Sequence, residues 1–251
     1  MSLARLGIVD WGIGGIGLVQ RLDAARPDLP ISYWSDTGFA PYGLVRSSVL
    51  RARLEAIVHR LAQRGCTEVV LACNAASTVV DRLSTPIPVR GIIASGISAV
   101  PRDALGVVGV VAGARTVRSG AYRRGLAAPG RTVRSRVAQP LSAHIEAGRI
   151  GTPAFVADLH EIVRPLRGAS AVVLACTHYP AAADAFAAVL PDSALIDPAR
   201  HLADELIAAL PRATAPGERE IATTGDRTAM RDAAAAAWGF DLGTPAAAHL
   251  P

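Results

Sequence analysis

The chain has 251 residues, a formal net charge of +5 and a hydrophobic fraction of 51%, and arginine supplies all 26 of its basic residues because lysine is absent. A chain without lysine cannot form the Schiff base of a pyridoxal phosphate enzyme or provide the lysine of a P-loop, so both kinds of site are excluded. No apolar stretch reaches the roughly 18–20 residues that cross a bilayer, so we expect no membrane partner.

The cysteines and the arginines narrow the class of protein further. Three cysteines whose spacing fits no zinc site, and an opening run without the features of a signal peptide, predict a cytoplasmic protein with free thiols. The arginines are spread along the chain and aromatic residues make up only 4% of it, so we expect no nucleic-acid partner. The oligomeric state stays open, with a homodimer as one alternative.

Short β-branched runs alternate along the chain with longer stretches that suit helices. The predicted strands cover residues 6–10, 31–35, 69–73, 105–111, 132–137, 171–176 and 194–196. The predicted helices cover residues 16–25, 47–64, 120–126, 153–167, 181–190 and 199–210. This alternation is typical of an α/β fold in which helices cover both faces of parallel sheets.

One five-residue phrase, Val-Val-Leu-Ala-Cys, occurs at residues 69–73 and again at 172–176, which places the two cysteines 103 residues apart. Ligands of parallel sheets bind just beyond the carboxyl ends of the strands, where both cysteines fall. We therefore predict two similar parallel-sheet α/β lobes, related by pseudo-twofold symmetry, with the active site between them. The predicted segments are 1–95 plus 211–251 for the first lobe, 96–210 for the second, a crossover near 93–101 and a loosely held tail at 243–251.

The first predicted strand runs into a glycine-rich turn, Asp-Trp-Gly-Ile-Gly-Gly, whose glycines let a ligand approach the backbone. Gly12, Gly14 and Gly17 also match the dinucleotide fingerprint G-x-G-x-x-G, and Asp36 follows the second strand at a suitable distance. The carboxylate of Asp10 would lie where a pyrophosphate binds, which weakens that alternative. A structural turn without a ligand is a third interpretation.

The ends of the predicted strands carry three further candidate features. Helix N–H groups near Cys73 and Cys176 lower a thiol pKa, and His178 follows Cys176 closely enough to shift the proton equilibrium of that thiol. Buried packing is the alternative for a lone cysteine after an apolar strand, and we assign Cys66 no role. The Pro-Tyr-Gly turn at 41–43 can direct its N–H groups at an anion, with a plain turn as the alternative.

Four motifs, taken together and in order, resemble the glutamate racemase group of the cofactor-independent aspartate/glutamate racemase family. The resemblance extends from residue 6 to about residue 210, and it includes the segment at 116–122. It implies an isomerase that removes the α-proton of an amino acid with one cysteine and returns a proton with another, without pyridoxal phosphate or any other cofactor, and so forms a D-amino acid. The motifs are Asp10-x-Gly-x-Gly-Gly, Pro41-Tyr42-Gly43, Cys73-Asn74-x-Ala-Ser and Cys176-Thr177-His178-Tyr179-Pro180.

The same resemblance implies the residues of the site. Cys73 and Cys176 would alternate as base and acid, with Asp10 assisting Cys73, and with Glu146 and His178 assisting Cys176. The residues implied to contact the substrate are Trp11, Pro41, Tyr42, Gly43, Asn74, Ala75, Gly113, Thr116 and Thr177.

The hydrogen-bonding groups of this set are expected to bind the two ends of the substrate separately. Asn74 and Thr177 would hold the α-carboxylate, and the backbone amides of Tyr42 and Gly43 would bind a distal carboxylate or another acceptor group. The predicted partner is therefore a small amino acid or a derivative of one, with no metal.

Three positions depart from the resemblance. The family usually has serine where this chain has Trp11, and threonine at the positions of Ala75 and Gly113. Each lost hydrogen bond is worth about 0.5–1.5 kcal/mol, so affinity for glutamate should fall. We expect glutamate or a related modified amino acid as substrate, in cell-wall synthesis or in specialised biosynthesis. The alternatives are an NAD(P)-dependent oxidoreductase that uses the turn at 12–17 and a catalytically inactive ligand-binding homologue.

Overall fold

The computed structural model describes residues 5–212 and 214–250, so residues 1–4, 213 and 251 of the predicted first lobe lie outside the described residues. No helix in these ranges is both long enough and apolar enough to cross a membrane. The strands are β1 (Arg5–Asp10), β2 (Ile31–Ser35), β3 (Cys66–Leu71), β4 (Val89–Gly91), β5 (Gly106–Ala112), β6 (Arg131–Val137), β7 (Ala171–Ala175), β8 (Ala194–Ile196), β9 (Arg219–Thr223) and β10 (Ala246–Ala247). The helices are α1 (Ile16–Ala25), α2 (Ser47–Gln63), α3 (Asn74–Ser77), α4 (Ile92–Ser98), α5 (Ala114–Ser119), α6 (Ala121–Gly125), α7 (Gln139–Glu146), α8 (Pro153–Val163), α9 (Ala183–Val189), α10 (Pro198–Ala209) and α11 (Arg227–Trp238).

The strands form two parallel sheets. One has the strand order β10-β9-β2-β1-β3-β4, and the other has the order β6-β5-β7-β8. The order β2-β1-β3-β4 therefore recurs as β6-β5-β7-β8, which makes β3 and β7 equivalent strands. The predicted α/β class with two parallel-sheet lobes is confirmed. The exact lobe boundaries at 95/96 and 210/211 stay a prediction.

The central strands are short apolar runs that bury nearly every residue. In β1 every residue after Arg5 is buried, and β7 is buried throughout. The pairing of β5 with β7 ends where Ala112 lies beside Ala175. Because all strands of a sheet run the same way, their carboxyl ends meet at one edge, and Cys73 and Cys176 follow just beyond these edges.

The strands that lead to Cys73 and Cys176 end before these cysteines. β3 is two residues shorter than predicted at this end, and β7 is one residue shorter. β3 ends at Leu71 and β7 ends at Ala175. Cys73 keeps an extended backbone, with φ −75° and ψ 122°, but it is the residue that precedes α3. The cysteines therefore belong to the strand-to-helix junctions and not to the sheets.

The prediction missed β4, β9 and β10, of which β4 and β10 form the two edges of the first sheet. β9 begins with charged residues that form ion pairs, Arg219 with Asp23 and Glu220 with Arg64, so its sequence lacks the apolar run of a buried strand. β10 pairs with β9, and Ala248 beyond it is buried. The prediction of a loosely held tail is therefore wrong for residues 246–248, which sheet pairing and a backbone hydrogen bond to Thr223 fix in place.

Helix α4 occupies most of the predicted crossover at 93–101. A β-carbon at Gly96 would lie 2.4 Å from the Tyr122 hydroxyl and 3.0 Å from Pro198, so this glycine permits close packing against α6 and α10. Tertiary packing thus overrides the weak helix propensity of a segment rich in glycine, serine and isoleucine. The chain enters the second sheet after α4 and returns to the first sheet after α10.

We expect Leu174→Ala to lower the free energy of unfolding by about 2–5 kcal/mol, because Leu174 is 1% exposed and packs in the core of the second sheet. Urea denaturation measures the change. Leu105→Ala is the matched control, since Leu105 is 58% exposed and its truncation should change stability by less than about 0.5 kcal/mol. Equal losses in the two variants would contradict the described core.

Candidate active site

A cavity of about 440 Å³ opens where the carboxyl ends of the two sheets face each other. Every residue that the sequence analysis assigned to the site lines this cavity, although their individual roles stay predictions. The first sheet contributes residues after β1, β2 and β3, and the second contributes residues after β5, β6 and β7. The lining residues that the sequence analysis missed are Leu44, Arg115, Gln139, Ser142, Ala143, Ala147 and Ala175.

Cys73 lies at the start of α3, beside a buried carboxylate. Burial raises the pKa of the Cys73 thiol well above its ordinary value, and the charge of Asp10 raises it further. The backbone N–H groups of Ala75 and Ala76 oppose this rise in the pKa of Cys73 but do not outweigh it. The expected lowering by the helix N-terminus is therefore overcome, and Cys73 holds its proton in the substrate-free site.

Asp10 links the two halves of the cavity. Its Oδ1 accepts a hydrogen bond of 2.7 Å from the backbone N–H of Trp11, and its Oδ2 accepts one of 2.9 Å from the Thr177 hydroxyl. Burial raises the pKa of Asp10, while the charge of His178 and these hydrogen bonds act in the opposite direction. The carboxylate is thus fixed in place between the end of β1 and the end of β7.

Cys176 has a different set of neighbours. Its Sγ lies 3.8 Å from Nδ1 of His178, and Nε2 of His178 lies 2.5 Å from Oε2 of Glu146 at the end of α7. Burial alone would lower the pKa of His178, but its hydrogen bonds to Cys176 and Glu146 outweigh burial and hold this pKa well above its ordinary value. Cys176 and His178 thus form a thiol–imidazole pair that Glu146 supports through its hydrogen bond to the imidazole.

Asn74, in the wall of the cavity, has a buried donor without a partner in the part of the chain that the structure describes. Its Oδ1 accepts a 2.8 Å hydrogen bond from the Tyr122 hydroxyl, whereas its buried Nδ2 has no hydrogen-bond partner among the described residues. The hydroxyl of Thr177 instead donates to Asp10. An unpaired buried donor is costly, so a ligand oxygen at Asn74 would satisfy it.

Trp11 and Gly113, two of the positions that depart from the family pattern, give the cavity wall a different shape and polarity. The indole of Trp11 lines the cavity, and its N–H donates a 3.0 Å hydrogen bond to the carbonyl oxygen of Phe39. A β-carbon at Gly113 would lie 3.1 Å from Oε1 of Gln139, so the side chain of Gln139 fills the space beside this glycine. The amide oxygen of Gln139 therefore lies next to residue 113, at which the family pattern has threonine.

The glycine-rich turn is filled by protein side chains. A β-carbon at Gly12 would lie 2.7 Å from Glu146, one at Gly14 would lie 2.3 Å from Thr177, and one at Gly17 would lie 2.5 Å from Trp238. These glycines allow close packing of the chain on itself, which disfavours the dinucleotide alternative. The described residues contain no cluster of three or more His, Cys, Asp or Glu side chains arranged to hold a metal ion.

Comparisons with known sequences all identify racemases. The family model described as Asp/Glu/Hydantoin racemase matches residues 18–206. A glutamate racemase from Desulforudis audaxviator is 34% identical over 208 residues, which cover 79% of this chain and 76% of that protein. A glutamate racemase from Deinococcus radiodurans is 32% identical over 246 residues, which cover 92% of this chain and 85% of that protein.

Solved structures share the two-sheet architecture over nearly the whole chain. The glutamate racemase of Francisella tularensis in complex with D-glutamate has a TM-score of 0.88 at 25% identity, covering 100% of this chain and 99% of that one. The glutamate racemase of Thermus thermophilus in complex with β-chloro-D-alanine has a TM-score of 0.84 at 28% identity, covering 98% and 96%.

We expect Asp10→Asn to lower the pKa of Cys73, because removing a negative charge beside the thiol favours the thiolate. The rate of alkylation of Cys73 by iodoacetamide, followed against pH by peptide mass spectrometry, measures that pKa. Asp158→Asn is the control, since Asp158 pairs with His144 away from the cavity. An unchanged or higher pKa in Asp10→Asn would contradict the described pairing.

Proposed function

Because this chain belongs to the Asp/Glu/hydantoin racemase family, it is a cofactor-independent racemase, and we propose that Cys73 and Cys176 carry out its two proton transfers. The observation that carries this proposal is that both cysteines line one cavity and that each lies beside a different acid–base group. Cys73 lies beside Asp10, and Cys176 lies beside His178.

The chemistry needs one sulfur that accepts a proton and another that donates one. A free thiol with a pKa near 8.5 is only about 3% thiolate at pH 7, so the imidazolium of His178 has to stabilise the thiolate of Cys176. This thiolate takes the α-proton, and the electron pair of the broken C–H bond delocalises into the α-carboxylate. The thiol of Cys73 then gives its proton to the opposite face and becomes a thiolate. The reverse sequence converts the other enantiomer.

Hydrogen-bond donors have to stabilise the charge that develops on the α-carboxylate during proton removal. The free Nδ2 of Asn74 supports its assignment to this carboxylate. The hydroxyl of Thr177 donates to Asp10, so we assign Thr177 to holding that acid in place as well as to lining the site. The backbone amides of Tyr42 and Gly43 remain our candidates for the distal group.

We propose glutamate, or a related amino acid with a modified side chain, as the substrate. The named relatives are glutamate racemases, and one solved relative is a complex with D-glutamate. The indole of Trp11, the methyl group of Ala75 and the amide of Gln139 beside Gly113 support a modified side chain, because they replace small hydroxyl groups at the wall.

We also propose a cytoplasmic location. Cys66, Cys73 and Cys176 are all free thiols, and oxidation of either cavity cysteine would remove an acid–base group. The homodimer alternative stays a prediction.

Replacing either cavity cysteine by alanine should lower racemisation at least about 10²–10⁴-fold in both directions, because each turnover needs a proton acceptor and a proton donor. Polarimetry measures the rate, and uptake of deuterium at the α-carbon from heavy water reports proton removal directly. A panel of amino acids with acidic, amide and cyclic side chains provides the substrates.

Cys66→Ala is the matched control, since Cys66 is buried outside the cavity and should leave the rate unchanged. Full activity in Cys73→Ala would refute the two-cysteine mechanism. Ligand binding by the unaltered protein without any α-proton exchange across the panel would favour the inactive homologue.

The triple variant Trp11→Ser, Ala75→Thr and Gly113→Thr should raise kcat/KM for glutamate relative to the unaltered protein. Each restored hydrogen bond contributes about 0.5–1.5 kcal/mol, which is about a 2- to 10-fold gain. A side chain at residue 113 is tolerated because its β-carbon meets only the flexible end of Gln139. A loss of glutamate turnover, with the fold retained by circular dichroism, would contradict this account of substrate choice.

A further inference from the structure

Arg115 reaches across the cavity from one sheet to the other. It lies on α5, just after the end of β5, and its guanidinium contacts the segment 41–47 that precedes and begins α2. Nε donates a 2.8 Å hydrogen bond to the carbonyl oxygen of Tyr42, and Nη1 donates one of 3.1 Å to the Ser47 hydroxyl. Nη2 donates to the carbonyl oxygen of Val45. One side chain thus fastens three points of this segment.

The base of the segment is held within its own lobe, while its tip is open to solvent. The Tyr42 hydroxyl donates a 2.8 Å hydrogen bond to Asp36, whose carboxylate also forms an ion pair with Arg53. Leu44, at the tip, is 78% exposed and lines the mouth of the cavity. The contacts from Arg115 therefore flank this exposed tip, at Tyr42 on one side and at Val45 and Ser47 on the other.

The acceptors of Arg115 are neutral oxygens, and this charge has no ion pair among the described residues. Burial lowers the pKa of Arg115, and the like charge of Arg118 lowers it further. A half-buried guanidinium that no carboxylate neutralises keeps a positive potential at the cavity wall, where an anionic substrate would be attracted.

We propose that Arg115 is a positioning residue that holds the segment 41–47 closed across the cavity, with the amides of Tyr42 and Gly43 directed at the distal group of the substrate. This inference rests on the proposed function, since it concerns the same substrate site. Lysine cannot replace this side chain, because one ammonium group cannot span three acceptors as a planar guanidinium does.

The test compares Arg115→Met and Arg115→Lys with Arg118→Met. Arg118 is a matched control because it lies on the same helix, is exposed and has no hydrogen bond or ion pair among the described contacts. We expect KM to rise about tenfold or more in Arg115→Met, with kcat changed less than about threefold, because the segment binds substrate and does not move protons. Arg115→Lys should recover only part of the loss, and Arg118→Met should match the unaltered protein.

Amide hydrogen exchange of peptides that cover 41–47 gives a second readout, which does not depend on turnover. Exchange should be faster in Arg115→Met than in Arg118→Met, without a general increase across the two sheets. Unchanged KM together with unchanged exchange of this segment would overturn the proposal, as would equal effects of the two methionine variants. Absence of α-proton exchange in the unaltered protein would refute the proposed function, while the exchange comparison would still decide the role of Arg115.

Discussion

The buried hydrogen bond between Thr177 and Asp10 is the contact on which the geometry of the cavity depends. It joins the end of β7 to the end of β1, so it brings the residue after Cys176 against the acid beside Cys73. The bare backbone of Gly14 makes this approach possible, because a side chain there would collide with Thr177. Two sulfurs that follow strands of different sheets thereby line one cavity.

The chemical environments of the two cysteines differ although the strands that carry them are equivalent. Burial and a neighbouring carboxylate raise the pKa of Cys73, whereas Cys176 lies beside an imidazole that is hydrogen-bonded to Glu146. A repeated fold therefore surrounds its two equivalent cysteines with different acid–base groups. In the mechanism that we propose, each turnover moves one proton from Cys73 to Cys176 or back, so the starting distribution has to be restored before the same enantiomer can react again.

The sequence was sufficient to predict features that depend on a short stretch of residues, such as the ends of the buried strands. The duplicated phrase located Cys73 and Cys176, since β-branched runs that end in a polar junction mark the carboxyl edge of a parallel sheet. It did not reveal Gln139, which reaches Gly113 only because β5 and β6 are neighbouring strands. It missed β9 for a related reason, because the first residues of that strand are charged and form ion pairs with distant residues, which leaves no apolar run in its sequence.

The double passage of the chain between the two sheets limits how this molecule can move. One connection leads out of α4 and the other follows α10, so the lobes are tied at two points and not at one. Two covalent ties permit rotation about the line that joins them and resist twisting about other axes. Any rotation of one lobe about that line has to separate Arg115 from Tyr42 and Thr177 from Asp10, so these two hydrogen bonds oppose opening of the cavity.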